Sequence, residues 1–232
     1  MAASTLKPKP SIVIVGIISL LLFLFLLSFI GSTPFLHLFG LEKTNATIFF
    51  ISRLSYWLCL FLVWLYVAKV ERQKLLLWQE RNYKFTTAAL SCIVIVLLLF
   101  VSMVLSHLIT TLAHTNNKSE KLNEMIGFFI ASKPLLVFTA LTAGVVEELI
   151  FRGYLLPRLE LLFKNSWVAI IVSSLLFGLL HYKYGTLANV VGPFFIGLVF
   201  ACYYWKYRNI KILIFCHFVW DLFAIMTLIK TH

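Results

Sequence analysis

The chain has 232 residues, 61% of them hydrophobic and 12% charged, against about 25% charged in an ordinary soluble domain. That composition excludes a soluble globular fold and points to a polytopic membrane protein sized for one helical bundle. The net charge of +11, from 20 Lys and Arg against 9 Asp and Glu, lies at the flanks of apolar runs. There it marks topology and anionic headgroups rather than nucleic acid.

Lys7 and Lys9 precede the first apolar run, about 11–30, which reads as a retained span with Ser11 as its N-cap. Span two covers about 48–68. A basic stretch, Lys69 to Lys84, follows and is expected to lie along the interface through Leu75, Leu76, Leu77 and Trp78. Span three covers about 86–109. The hydrophilic loop Ala113 to Glu124 divides the single membrane domain, 1–232, into accessory spans, 1–124, and a functional half, 125–232. Span four runs from Pro134 to Phe163 and stops at Lys164-Asn165-Ser166, where Asn165 or Ser166 caps span five. Span five ends near His181. Span six, about 186–204, contains Gly192-Pro193, a kink, and span seven covers about 210–229. There is no repeat and no low-complexity segment.

Seven spans put the termini on opposite sides. With the N-terminus inside, twelve basic residues face in, among them Lys69, Arg158 and Lys164. Seven face out, among them Lys43, Arg53, Lys118, Lys121 and Lys183. The asymmetry favours that orientation. The four cysteines, Cys59, Cys92, Cys202 and Cys216, all lie in apolar runs, form no CxxC pair and read as small buried side chains. His37, His107 and His114 read as interfacial.

Span four carries Glu147, Glu148 and Arg152, and ionised groups at membrane depth cost roughly 2.5–3.5 kcal/mol each. Their partners follow in His181, which closes span five, and in His217 and Asp221 of span seven. In a hairpin turning at 164–165, Glu148 and His181 lie level, about 24 Å from the turn at 1.5 Å per residue. Glu148 and Arg152 have the i,i+4 order that favours an ion pair. Glu147, pointing about 100° away, is left to act as a general base on water beside a histidine. Asp221, one turn after His217, is placed to hold that ring and fix its tautomer. It also adds negative charge, which an Asn would not. HExxH, GxGxxG and P-loop patterns are absent from the sequence.

Glu147-Glu148-x-x-x-Arg152, Phe177-x-x-x-His181 and His217-x-x-x-Asp221 resemble the three motifs of the CPBP intramembrane protease family. That family comprises type II CAAX prenyl endopeptidases and bacteriocin-processing or immunity (Abi) proteins. The resemblance covers about residues 125–229. It implies an all-α membrane bundle of about seven transmembrane helices that cleaves a peptide bond in a membrane-associated peptide or protein. By position it implies Glu147 as catalytic base and His181 as its partner on the water. His217 and Asp221 would stabilise the oxyanion or bind a metal, and Arg152 would position the glutamates. The last motif position is Asn in many members and Asp here. Two mechanisms stay open: a metal-free, glutamate-activated water, or an open zinc site with Glu147, His181 and His217 as ligands. The length and composition fit the prokaryotic branch, in a cytoplasmic membrane, where prenylated substrates are not expected. The implied partners are a peptide or membrane-protein substrate and the bilayer, with no nucleic acid; oligomeric state is left open. The rival class is a non-enzymatic immunity protein or proton-coupled transporter built on the same polar network.

Overall fold

The computed structural model describes residues 8–30, 33–41, 44–115 and 119–231. The residues Lys7, Lys43 and Lys118 of the topology reading lie outside them. Among the described residues no strand occurs, and seven helices are long and apolar enough to cross a membrane. The protein is an all-α polytopic helical bundle and an integral membrane protein.

The spans follow the apolar runs. α1 is Pro10–Ser28; Lys9, not Ser11, is its N-cap, because Pro10 already occupies the first helical position. A short helix, α2, covers Thr33–Leu38. α3, Ala46–Tyr66, begins on an Asn45 cap that accepts from the Ile48 amide and runs on as a π-helical turn to Glu71. α4 is Phe85–Leu112, α5 Glu120–Ala131 and α6 Lys133–Thr142. The chain then passes through two π-helical stretches, Ala143–Glu147 and Leu149–Leu155, before α7, Leu156–Phe163. Asn165 caps α8, Ser166–Leu179, through the Trp167 and Val168 amides; a 3₁₀ turn covers Leu180–Tyr184. α9, Ala188–Tyr207, runs through Gly192-Pro193 without interruption, and α10 is Ile210–Thr231.

The outward faces are aliphatic: Ile18 and Leu22 on α1 and Leu97 and Val104 on α4 are exposed, as a lipid-facing surface requires. One buried cluster joins α1, α3, α4 and α7–α10, including Leu24, Cys59, Leu99, Leu159, Phe177, Phe200 and Leu213. The accessory spans therefore share a core with the functional half. A second cluster sets Phe129 of α5 against Leu135 and Leu136 of α6 and Ile225 of α10.

Span four occupies Lys133–Phe163, as its apolar run implied. Between the hydrophilic loop and that span lies a further helix, α5, which starts on a Ser119 cap and ends where Ser132 caps α6. The basic stretch after span two departs from expectation, because it is held by the bundle. Glu71 is fully buried against Arg158, with Nη2 to Oε2 at 2.6 Å, and Tyr154 donates to the same carboxylate at 3.2 Å. Farther on, Glu80 accepts from Tyr204 at 2.6 Å and from the Ile210 amide at 2.7 Å, capping α10. Leu75, Leu76 and Trp78 pack on the main cluster. Arg158 and Arg53 were counted as facing opposite surfaces, yet both are buried, at 0% and 7% exposure.

Candidate active site

Glycines let the motif-bearing helices close together. A Cβ at Gly144 would stand 2.9 Å from the Ile214 carbonyl and 3.0 Å from the Phe218 amide. The backbone just ahead of the glutamates therefore approaches α10 closely on either side of His217. A Cβ at Gly178 would stand 2.7 Å from the Val190 carbonyl, so α8 approaches α9 in the same way. Trp57 of α3 donates to Thr142 Oγ1 at 2.9 Å and ties the second span to the start of the π region.

Glu148 is completely buried and its Oε1 is shared. Arg152 Nη1 donates to it at 2.8 Å, and His217 Nδ1 stands 2.8 Å away on the other side. The ion pair with Arg152 is the one expected from spacing. The hold on His217 was not. Asp221 Oδ1 lies 3.7 Å from His217 Nε2, beyond hydrogen-bond reach. The His217 ring is thus oriented from the facing helix, by Glu148, and not from its own helix by Asp221.

Arg152 makes its second bond through Nη2 to the Gly197 carbonyl at 3.1 Å. Its guanidinium stacks 4.5 Å from Phe177 and 5.3 Å from Phe200. Aromatic faces and a carbonyl offset part of the cost of a charge with 1% exposure. Phe177 is the hub of the site, with ring centroids 5.1 Å from Phe151, 5.2 Å from His181 and 6.1 Å from His217.

His181 begins the last turn before the loop, and its Nδ1 is 2.9 Å from the Phe177 carbonyl. A carbonyl can only accept, so Nδ1 carries the hydrogen and Nε2 faces away from the helix bond. His217 is likewise held through Nδ1. Both imidazoles therefore offer Nε2.

Both glutamates keep one buried oxygen, Oε2, without a hydrogen-bond partner among the described residues. Glu147 differs in being half-buried and in making no side-chain bond through its other oxygen either. Its charge acts on His181, His217 and Asp221, and also on Tyr56 of α3 and Lys183. The six residues expected at the site, Glu147, Glu148, Arg152, His181, His217 and Asp221, thus lie in one neighbourhood. Arg53, Tyr56 and Lys183 border it too and were missed as site residues. The available signal was an arginine inside an otherwise apolar run, which had been read as an outer-face charge.

The zinc alternative needs Glu147, His181 and His217 converging on one point. No group of three or more His, Cys, Asp or Glu side chains is disposed to hold an ion among the described residues. The side chains as placed do not form that ligand set. His37, His107 and His114 are exposed and lie outside the cluster.

A membrane-embedded helical bundle with two glutamates, two histidines and an arginine converged in its interior is the class that fold and site define. Residues 129–223 match the family model described as type II CAAX prenyl endopeptidase Rce1-like. The matched segment carries all three motifs, so the resemblance read from their spacing is to the family that matches. Neither a curated protein nor a solved structure matches the chain.

Proposed function

We propose that this protein hydrolyses a peptide bond of a membrane-associated peptide or protein, with Glu147 as the general base on water. The observation that carries the reading is the asymmetry of the two glutamates. Each has a buried Oε2 without a partner, but Glu148 Oε1 is held by both Arg152 and His217, whereas Glu147 is bonded to no side chain among the described residues and acts on both histidines. A base must accept a proton readily, and the carboxylate without an arginine beside it does so more readily than the one paired with Arg152.

In this mechanism Glu147 takes a proton from a water molecule oriented by His181 Nε2, and the resulting hydroxide attacks the scissile carbonyl. His217 has its Nδ1 hydrogen committed to Glu148, so it donates from Nε2 to the developing oxyanion as an imidazolium flanked by Glu148 and Asp221. Glu147 then returns its proton to the leaving amine. Arg152 anchors Glu148 and, through it, His217. The substrate class that suits reacting groups at membrane depth is a membrane peptide, a bacteriocin or leader peptide, or a regulatory membrane protein.

The test is single-turnover cleavage of membrane peptides by purified variants, with thermal unfolding recorded in parallel. Glu147→Gln is expected to lower turnover by more than about a hundredfold with folding nearly unchanged, and His181→Ala to act alike. Cleavage at the parental rate by Glu147→Gln would overturn the mechanism and favour an immunity or transport role for the same network.

A further inference from the structure

A recess of about 90 Å³ has in its lining Ser52 and Arg53 of α3, Lys121 and Glu124 of α5, and Lys183 and Tyr184 of the 3₁₀ turn that also carries His181. Among the described residues its cations make few bonds. Arg53 is 7% exposed, yet its bonds amount to a 3.4 Å contact from Nε to Ser52 Oγ and stacking at 5.0 Å on Phe49 and 4.9 Å on Tyr56. Lys183 Nζ donates to Tyr56 Oη at 3.5 Å. Glu124 lines the same recess, but among the described residues no ion pair joins Arg53, Lys121 or Lys183 to a carboxylate.

A guanidinium so buried, with a planar fork left open, is a site for an anion and above all for a carboxylate, which it grips with two parallel bonds. The position of the recess says whose carboxylate. Tyr184, which lines it, stands 6.1 Å from His181 between ring centroids, and Lys183 follows His181 by two residues in the same turn. Tyr56, which touches both cations, also acts with Glu147. An anion held here lies alongside the reacting groups, as part of the molecule being cleaved.

We propose that Arg53, assisted by Lys183, binds a carboxylate of the peptide substrate and thereby selects which bond is presented to Glu147. The inference rests on the peptidase reading above and adds the accessory span α3 to the substrate site. The carboxylate is either the C-terminal one or that of an Asp or Glu side chain.

Three sets of synthetic apolar peptides of randomised sequence distinguish the sources: a free C-terminal carboxylate, a C-terminal amide, and an amide carrying one internal glutamate. Each set is offered to purified protein in detergent, and retained and cleaved peptides are read by mass spectrometry. The parent is expected to retain one or both acidic sets about tenfold over the plain amide, the worth of one charge-assisted contact. Arg53→Gln should erase that ratio, Lys183→Gln reduce it and Arg53→Lys keep part of it. A purely structural role would lower retention of all sets together and leave the ratio unchanged. Equal retention of acid and amide by the parent would sink the proposal, as would an unchanged ratio in Arg53→Gln. It would also fall if phosphatidylglycerol, supplied as mixed micelles, were held through Arg53 while no peptide set was preferred. Preferred retention without cleavage would leave the carboxylate site standing and remove the peptidase reading; cleavage without preference would do the reverse.

Discussion

At the scale of single residues, adjacent glutamates have different surroundings, because one of them has two side-chain partners. Glu148 carries both the Arg152 ion pair and the His217 ring on a single oxygen. Spacing alone assigned it to Arg152 and implied that Glu148→Gln acts mainly through stability. The contact with His217 changes that expectation: Glu148→Gln should lower kcat as well, since a neutral amide holds the ring without countering an imidazolium. Removing the other partner leaves a buried charge alone. Arg152→Ala is expected to cost about 3–5 kcal/mol, seen as a lower thermal midpoint and a lower yield. The double change Glu148→Gln with Arg152→Gln should recover part of the stability and none of the activity. An Arg152→Ala protein as stable as the parent would falsify the pairing.

At the scale of elements, the informative feature is the π-helical stretch that carries the first motif. Regular α-helix was assumed when Glu148 and His181 were set level at 1.5 Å per residue. A π turn packs more residues into each turn, which brings the glutamates nearer the Lys164 turn. The 3₁₀ geometry of Leu180–Tyr184 stretches the opposite strand of the hairpin. What meets across the hairpin is Arg152 with Phe177, at 4.5 Å, and the histidine that meets Glu148 comes from α10 instead. That meeting depends on Gly144. Because the atoms a Cβ would strike are backbone, they have little room to yield. Gly144→Ala should destabilise the protein by about 1–3 kcal/mol and reduce turnover further by shifting α10 and His217 away from Glu148. Thermal unfolding with a matched cleavage assay checks this. A Gly144→Ala variant with parental stability and rate would show that the approach of the two helices is not needed.

At the scale of the molecule, the first three spans are tied to the motif-bearing half by polar bonds at depth. Glu71 with Arg158 and Tyr154, Glu80 with Tyr204 and the α10 amide, and Trp57 with Thr142 all cross that boundary. The orientation of the whole in the bilayer is a separate proposal, resting on the basic residues outside the core. With Arg53 and Arg158 buried, the asymmetry is carried by residues such as Lys69, Lys164 and Lys206 on one end and Lys121 and Lys133 on the other. We expect single cysteines placed at Asn165 and at Glu120 to be labelled from opposite sides of the membrane, Asn165 from the cytoplasm. Labelling of both from one side would remove the seven-span topology.

The sequence by itself determined the number of spans, nearly all their limits and the residues gathered at the site. Those follow from local causes: apolar runs long enough for a bilayer, an Asn cap and left-handed Lys164 at the hairpin, and charges too costly to sit in lipid without partners. Even the Glu148–Arg152 pair was legible, because both residues lie on one helix. The partner of His217 was not, since a residue on another helix, 69 positions away, competes with Asp221 four positions away, and only packing decides between them. Tertiary structure likewise chose that Arg53 faces inward to the recess instead of outward to headgroups. Burial is a property of the neighbours a side chain acquires, and those neighbours, α5 and the turn after α8, come from the far half of the chain.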